Sequence, residues 1–125
     1  MTVLFFEVDG GLNYKDTEAR APDGRLGIAS DCIKKIRDIV SETGTRLVLY
    51  GSWCKDWDFD DKKCTPCGVY LNKKLERKGL HLLDKVKDGL QNDEAIEDWL
   101  KRHPNVDKYA IYRDNQIDWI ERQGA

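Results

Sequence analysis

The chain lacks the features that mark several functional classes. No apolar run in its 125 residues approaches the ~20 needed to cross a bilayer, so no membrane partner is expected. The formal charge is only −2, with acids and bases interspersed over 35% of positions. That leaves no basic field for a nucleic-acid backbone, and nucleic acid is not the expected partner. The first residues lack a basic stretch followed by an apolar core and a small-residue cleavage site, which points to a cytoplasmic protein rather than an exported one. Internal repeats, low-complexity tracts and a dividing linker are missing too. One domain over residues 1–125 is therefore expected, long enough to bury roughly two thirds of its unfolded surface. Nothing in the pattern fixes an oligomeric state.

What is present begins with Val3–Asn13, Val-Leu-Phe-Phe-Glu-Val-Asp-Gly-Gly-Leu-Asn. A continuous apolar run closed by glycine reads as a fully buried strand of a parallel sheet. Carboxylates at the carboxyl end of such a strand lie where open α/β sheets bind ligands. Glu7 and Asp9 are two apart, so they share one face of the extended chain. Two acids at one strand end suit a metal or phosphate site.

Residues 15–27 are polar, with Pro22, Gly24 and Gly27, and read as a loop over that edge. Ser30 is the expected N-cap of a helix carrying Ile33, Ile36, Ile39 and Val40 and stopped by Gly44. Arg46–Tyr50 reads as a second buried strand, parallel to the first because a helix joins them. Residues 54–68 are irregular, and Tyr70–Lys78 forms a short helix ended at Gly79. His81–Leu83 is a candidate third strand. Asp93 or Asn92 caps a helix through Trp99 and Leu100, ended by Pro104. Tyr109–Tyr112 is expected as the last core strand, with a short helix in the tail from Gln116 to Ala125.

Four cysteines without an export signal favour reduced thiols or metal ligands over disulfides. Cys54, Cys64 and Cys67 share the irregular stretch. Their Cys64-Thr-Pro-Cys67 spacing suits zinc, with His81 or Asp58 needed to complete a site. Ordinary reduced thiols are the favoured reading, and zinc is not the expected cofactor. His81 and His103 read as structural, the latter suiting the negative end of its helix.

Taken in order, Glu7-Val-Asp9-Gly10-Gly11-Leu12-Asn13, Ser52-Trp53 after the second strand, the helix ending Trp99-Leu-Lys-Arg-His103-Pro104, and Arg113-Asp114 after the last strand resemble the small haloacid dehalogenase (HAD) domains, in particular the compact type associated with RNA-repair proteins. The resemblance spans nearly the whole chain. It implies a three-layer α/β fold, a Rossmann-like parallel sheet flanked by helices. It also implies Mg²⁺-dependent phosphoryl transfer, in which a first-motif Asp attacks phosphorus and a second Asp shuttles a proton. A Ser or Thr after strand two would hold the phosphate, a Lys or Arg would balance its charge, and a late acidic pair would help hold the metal.

This chain departs from that pattern at each step. Glu7 stands at the nucleophile position, and its extra methylene moves the carboxylate by about a bond length, where errors near 1 Å cost ~10²-fold in rate. Tyr50 and Gly51 follow the second strand directly, and the hydroxyl of Ser52 comes late. Gln91, Asn92 and Asp93 open the helix where the family places an Arg, leaving Lys85 or Lys87 to deputise. The acidic pair has become Arg113-Asp114. If a metal is held, Glu7, Asp9 and Asp114 are its Mg²⁺ ligands. The expectation is a catalytically degenerate HAD-like protein that binds or sequesters a phosphorylated small molecule or nucleotide, as a phage counter-defence protein would. The expected contacts are Arg113, Lys87 and Ser52, with Asn13, Gly51, the Gly10 and Gly11 backbone, and Tyr50 and Trp53 stacking on a base or sugar. One alternative is an active phosphatase with Glu7 and Asp9 catalytic, acting on phosphomonoesters or nucleic-acid ends. The other is a protein-interaction module using the cysteine loop.

Overall fold

Val3, Leu4, Phe5 and Phe6 are fully buried and form the heart of a five-stranded sheet. The computed structural model describes residues 1–122. Strand β1 (Thr2–Phe6) is followed by helix α1 (Ser30–Thr43), β2 (Arg46–Leu49), two short 3-10 segments (Ser52–Asp56 and Asp61–Lys63), and α2 (Pro66–Glu76). Next come β3 (Leu82–Lys85), α3 (Asn92–Arg102), β4 (Lys108–Arg113) and β5 (Gln116–Glu121). The strand order is β3-β2-β1-β4-β5. The first four strands are mutually parallel and β5 runs antiparallel at the edge. The α/β Rossmann-like architecture is thus as expected.

The helices form two layers. Helices α1 and α2 lie side by side, their Ile33 and Lys74 lining one crevice, and the Tyr70 hydroxyl of α2 accepts from the Ile28 N–H just ahead of α1. Helix α3 covers the other face through Trp99, which meets Phe5 edge-on with ring centres 5.5 Å apart. Strands β2 and β3 therefore extend the sheet one way from β1, and β4 extends it the other way. The crevice between the carboxyl ends of β1 and β4 is the switch point at which open α/β sheets bind ligands.

Four local expectations are corrected. The residue capping α1 is Ala29, not Ser30, and it has extended φ and ψ with no side-chain cap bond. Gln91, rather than Asn92 or Asp93, holds the corresponding position before α3, also without a side-chain bond. Helix α2 starts at Pro66 instead of Tyr70, because Thr65 caps it through Gly68 N–H and proline suits the first turn. The tail is a strand, not a helix, over Gln116–Glu121; residues 123–125 lie outside the described residues. Asp114 and Asn115 both take positive φ, 49° and 62°. That makes a two-residue hairpin turn, which folds the tail back onto β4. Arg122 secures it by donating to the carbonyls of Leu100, His103 and Val106 around the end of α3. Among the described residues, no helix is long and apolar enough to cross a membrane.

Candidate functional site

The sheet register brings the first-motif residues beside their counterparts. Phe5 pairs with Ile111 and Phe6 with Leu49, so the same offsets carried two residues and one residue on place Glu7 level with Arg113 and Tyr50. The Tyr50 N–H donates to the Phe6 carbonyl, extending the ladder. Beyond the ladder, the turn that carries Asp9 meets the start of the 3-10 segment, where the Ser52 hydroxyl donates to Asp9 Oδ2 at 3.1 Å.

The extra methylene of Glu7 has a visible counterpart. Gly51 sits at φ 92° and ψ −168°, a region open essentially to glycine alone. A Cβ there would lie 2.8 Å from Glu7 Oε2 and 3.1 Å from Glu7 Cβ. The larger acid at position 7 and the missing side chain at position 51 fit one another. Partial burial raises the Glu7 pKa; Arg113 opposes the rise, while Asp9 and Asp114 add to it.

Arg113 faces a different partner from the one its neighbours suggest. Its Nη2 donates to Asp93 Oδ1 at 2.6 Å, and its guanidinium lies 5.8 Å above the Tyr50 ring. The acid at the start of α3 and the base at the end of β4 are thus the reverse of the arrangement implied by the resemblance. Glu7, Gln91, Asn92, Asp93 and Arg113 line an open cleft of about 500 Å³. With no side chain capping α3, its first-turn N–H groups are available for an anion there. A second cleft, of about 410 Å³, shares Asn92 and is lined by Gly51, Ser52, Lys55, Lys87 and Leu90 among others.

Other candidates are placed elsewhere. Tyr50 and Trp53 are 0% and 1% exposed, so neither can stack on a ligand. The Tyr50 hydroxyl donates to the Tyr112 carbonyl, and burial, with Glu7 adding, pushes its pKa up to about 12. The exposed aromatics are Phe59 and Tyr14. The Gly10 N–H donates to Asn13 Oδ1 and the Gly11 N–H to the Val8 carbonyl, so both proposed backbone donors are engaged. Gly11 is needed because a Cβ would run into the Glu7 carbonyl. Asn13 is buried and donates to Asp9 Oδ1 at 3.2 Å, which makes it a brace for the turn. Of the two candidate lysines, Lys85 spends its ammonium on the carbonyls of Cys54 and Trp57. Lys87 is exposed and lines the second cleft. His103 donates from Nδ1 to the Trp99 carbonyl and stacks on the Trp99 ring, so its setting is structural.

Lys55, which lines the second cleft, and Asp93, which pairs with Arg113, are hard to find from sequence alone. Lys55 carried a faint signal as a base three places after Ser52. Asp93 carried a stronger one, since an acid where a base is expected faces a base where an acid is expected.

The residues present do not fit Mg²⁺. Both oxygens of Asp9 already accept from Ser52 and Asn13. A guanidinium stands beside Glu7, where it repels a second cation. Among the described residues, no three His, Cys, Asp or Glu side chains group so as to hold a metal ion, whereas Mg²⁺ demands near-ideal octahedral oxygens. The cysteines are likewise dispersed into packing roles. The Cys54 thiol donates to the Leu49 carbonyl, and burial pushes its pKa up to about 12, which disfavours the thiolate a metal needs. Cys64 donates to the Asp58 carbonyl, and Cys67 is buried in the first turn of α2.

Comparison with known proteins agrees with this frame. The family model of the HAD domain in Swiss Army Knife RNA repair proteins matches residues 3–124. No curated protein and no solved structure matches the chain. A strand-end acidic motif at the switch point and a match over nearly the full length establish that the chain belongs to the family of HAD domains found in Swiss Army Knife RNA repair proteins.

Proposed function

We propose that the chain binds a phosphorylated small molecule or nucleotide at the carboxyl edge of its sheet and does not turn it over. The observation that carries this reading is the single cleft onto which Arg113, Glu7 and the uncapped start of α3 all open. A guanidinium gives planar, charge-assisted donors, and the helix start adds N–H groups and partial positive charge. Lys55, Lys87 and Ser52 in the adjoining cleft supply further donors for a second phosphate or a sugar. Loss of turnover is supported by the longer acid at position 7, which Gly51 accommodates, and by the misfit to Mg²⁺. Sequestration in the cytoplasm, as in phage counter-defence, is the setting in which binding without hydrolysis is useful.

The test is a calorimetric screen of phosphorylated metabolites and nucleotides, with recovery of the bound compound intact. Glu7 gives it a pH signature. Because its pKa is raised, acidification through that value neutralises one carboxylate facing the anion, so binding should tighten as pH falls. Glu7→Gln should flatten that dependence and tighten binding at neutral pH by at least about fivefold, the water-screened value of one unit charge at ~4 Å. No binder in the screen, or an affinity indifferent to both pH and Glu7, removes this reading.

A second reading, an active Mg²⁺-dependent phosphatase, draws on the surviving contact between Asp9 and Ser52. A phosphomonoester assay with Mg²⁺ decides it, provided that Asp9→Asn abolishes any phosphate release observed.

A further inference from the structure

Four carboxylates, those of Glu7, Asp9, Asp93 and Asp114, come to the ends of β1 and β4 and the start of α3. Such a concentration of negative charge needs a positive partner. Asp9 satisfies both its oxygens with neutral donors, Ser52 and Asn13. For the others, the cation that faces them among the described residues is Arg113, since Lys35 reaches only the Asn115 side chain in the adjoining turn, at 3.4 Å. Arg113 is level with Glu7 in the sheet, bonded to Asp93 at 2.6 Å, and seated over the Tyr50 ring.

We infer that Arg113 takes the place of the family's divalent cation, so that this site holds a phosphate-bearing ligand with no metal ion. The inference rests on the phosphate-binding reading above. A guanidinium tethered to the sheet cannot dissociate or be stripped by a chelator, and it stays charged at any working pH. It offers a fork of donors that matches two phosphate oxygens at once. It differs from Mg²⁺ in carrying one charge rather than two and in being unable to act as a Lewis acid, properties that suit holding an anion over activating it. Its position is also adjustable. Arg113 and Asp93 are 45% and 82% exposed, so their pairing is cheap to exchange for an incoming phosphate.

The experiment is calorimetry of the full chain with inorganic phosphate and, separately, adenosine monophosphate, each in EDTA and in excess Mg²⁺. A titration with Mn²⁺ alone, followed by electron paramagnetic resonance, accompanies it. Affinity should agree within about twofold between the two conditions, and Arg113→Gln should bind at least about tenfold more weakly, with Arg113→Lys between. Wild-type protein should show no saturable Mn²⁺ site. Because Arg113 is solvent-exposed at a strand end, circular dichroism should show both variants folded. Binding that appears only with Mg²⁺, or a saturable Mn²⁺ site, overturns the inference and leaves the phosphate-binding reading standing. Failure of both probes in both conditions overturns the reading beneath it and the inference together.

Discussion

Arg25–Asp56 and Arg113–Asp93 are built from the same two residue types, and each guanidinium lies over an aromatic ring of the segment after β2. Arg25 is 4.6 Å from the Trp53 ring centre and Arg113 is 5.8 Å from that of Tyr50. Their surroundings differ. Asp56 is almost wholly buried, accepting from Arg25 at 2.9 Å and from the Thr65 hydroxyl at 2.8 Å, while Arg25 also pairs with Asp23. That network ties residues 20–27 and the cap of α2 to the 3-10 segment, so the loop over the sheet edge is pinned. Asp93 has one partner and open solvent. The comparison teaches that one ion-pair chemistry fastens a fold where water is excluded and stays exchangeable where it is not.

The largest effect should follow from breaking the buried pair. Asp56→Ala leaves the Thr65 hydroxyl without its acceptor and Arg25 with Asp23 alone, and should cost about 3 kcal/mol, the low end for a buried pair because Arg25 keeps Asp23 and some solvent contact. Urea denaturation measures it. A loss below about 1 kcal/mol would place this pair with the exposed one and dissolve the contrast.

Next in size is the contact between Gly51 and Glu7. Gly51→Ala forces a side chain into a backbone region reserved for glycine and against the Glu7 carboxylate, at about 1–3 kcal/mol. Shortening the acid should relieve the contact but not the backbone strain. The double variant Glu7→Asp with Gly51→Ala should therefore be less destabilised than the two changes added, by about 1 kcal/mol. Strict additivity would mean that the two positions are not matched to one another.

Those two sites also show what sequence reveals and what it does not. β1 was legible because its apolar run is unbroken, but strand alternation does not place Glu7 and Asp9: the strand ends at Phe6, and a turn closed by the Gly11 and Leu12 N–H groups on the Val8 carbonyl carries Asp9. β5 was harder. Its Ile117-Asp118-Trp119 alternation and the Asp114-Asn115 turn are genuine strand signals, but a half-exposed edge strand resembles a polar tail in composition. The stacking roles expected of Tyr50 and Trp53 failed for another reason. Aromatic residues after a strand are equally suited to a pocket wall and to a core, and only tertiary packing decides: Tyr70 and Arg25 cover Trp53, and the end of β4 covers Tyr50. Lys85 and Lys87 posed the same problem: two residues apart, one is captured by the Cys54 and Trp57 carbonyls and the other left free. The exchange of charge between Asp93 and Arg113 joins positions 20 residues apart, a pairing that only the return of α3 to the sheet edge makes evident.

The smallest effect on stability, and the sharpest on the comparison, should come from Asp93→Asn. The exposed ion pair contributes under about 1 kcal/mol, and removing a negative charge from the start of α3 forfeits a similar small helix-dipole term. The folded protein should lose about 1 kcal/mol or less in urea denaturation, well under the loss for Asp56→Ala. Its affinity for inorganic phosphate should move the other way, tightening about two- to fivefold, because the guanidinium no longer has to leave a carboxylate to take the anion. A weaker grip instead would mean that Asp93 aims Arg113 into the cleft rather than competing for it. The exposed pair would then be a positioning contact like its buried counterpart, and exposure would no longer separate the two.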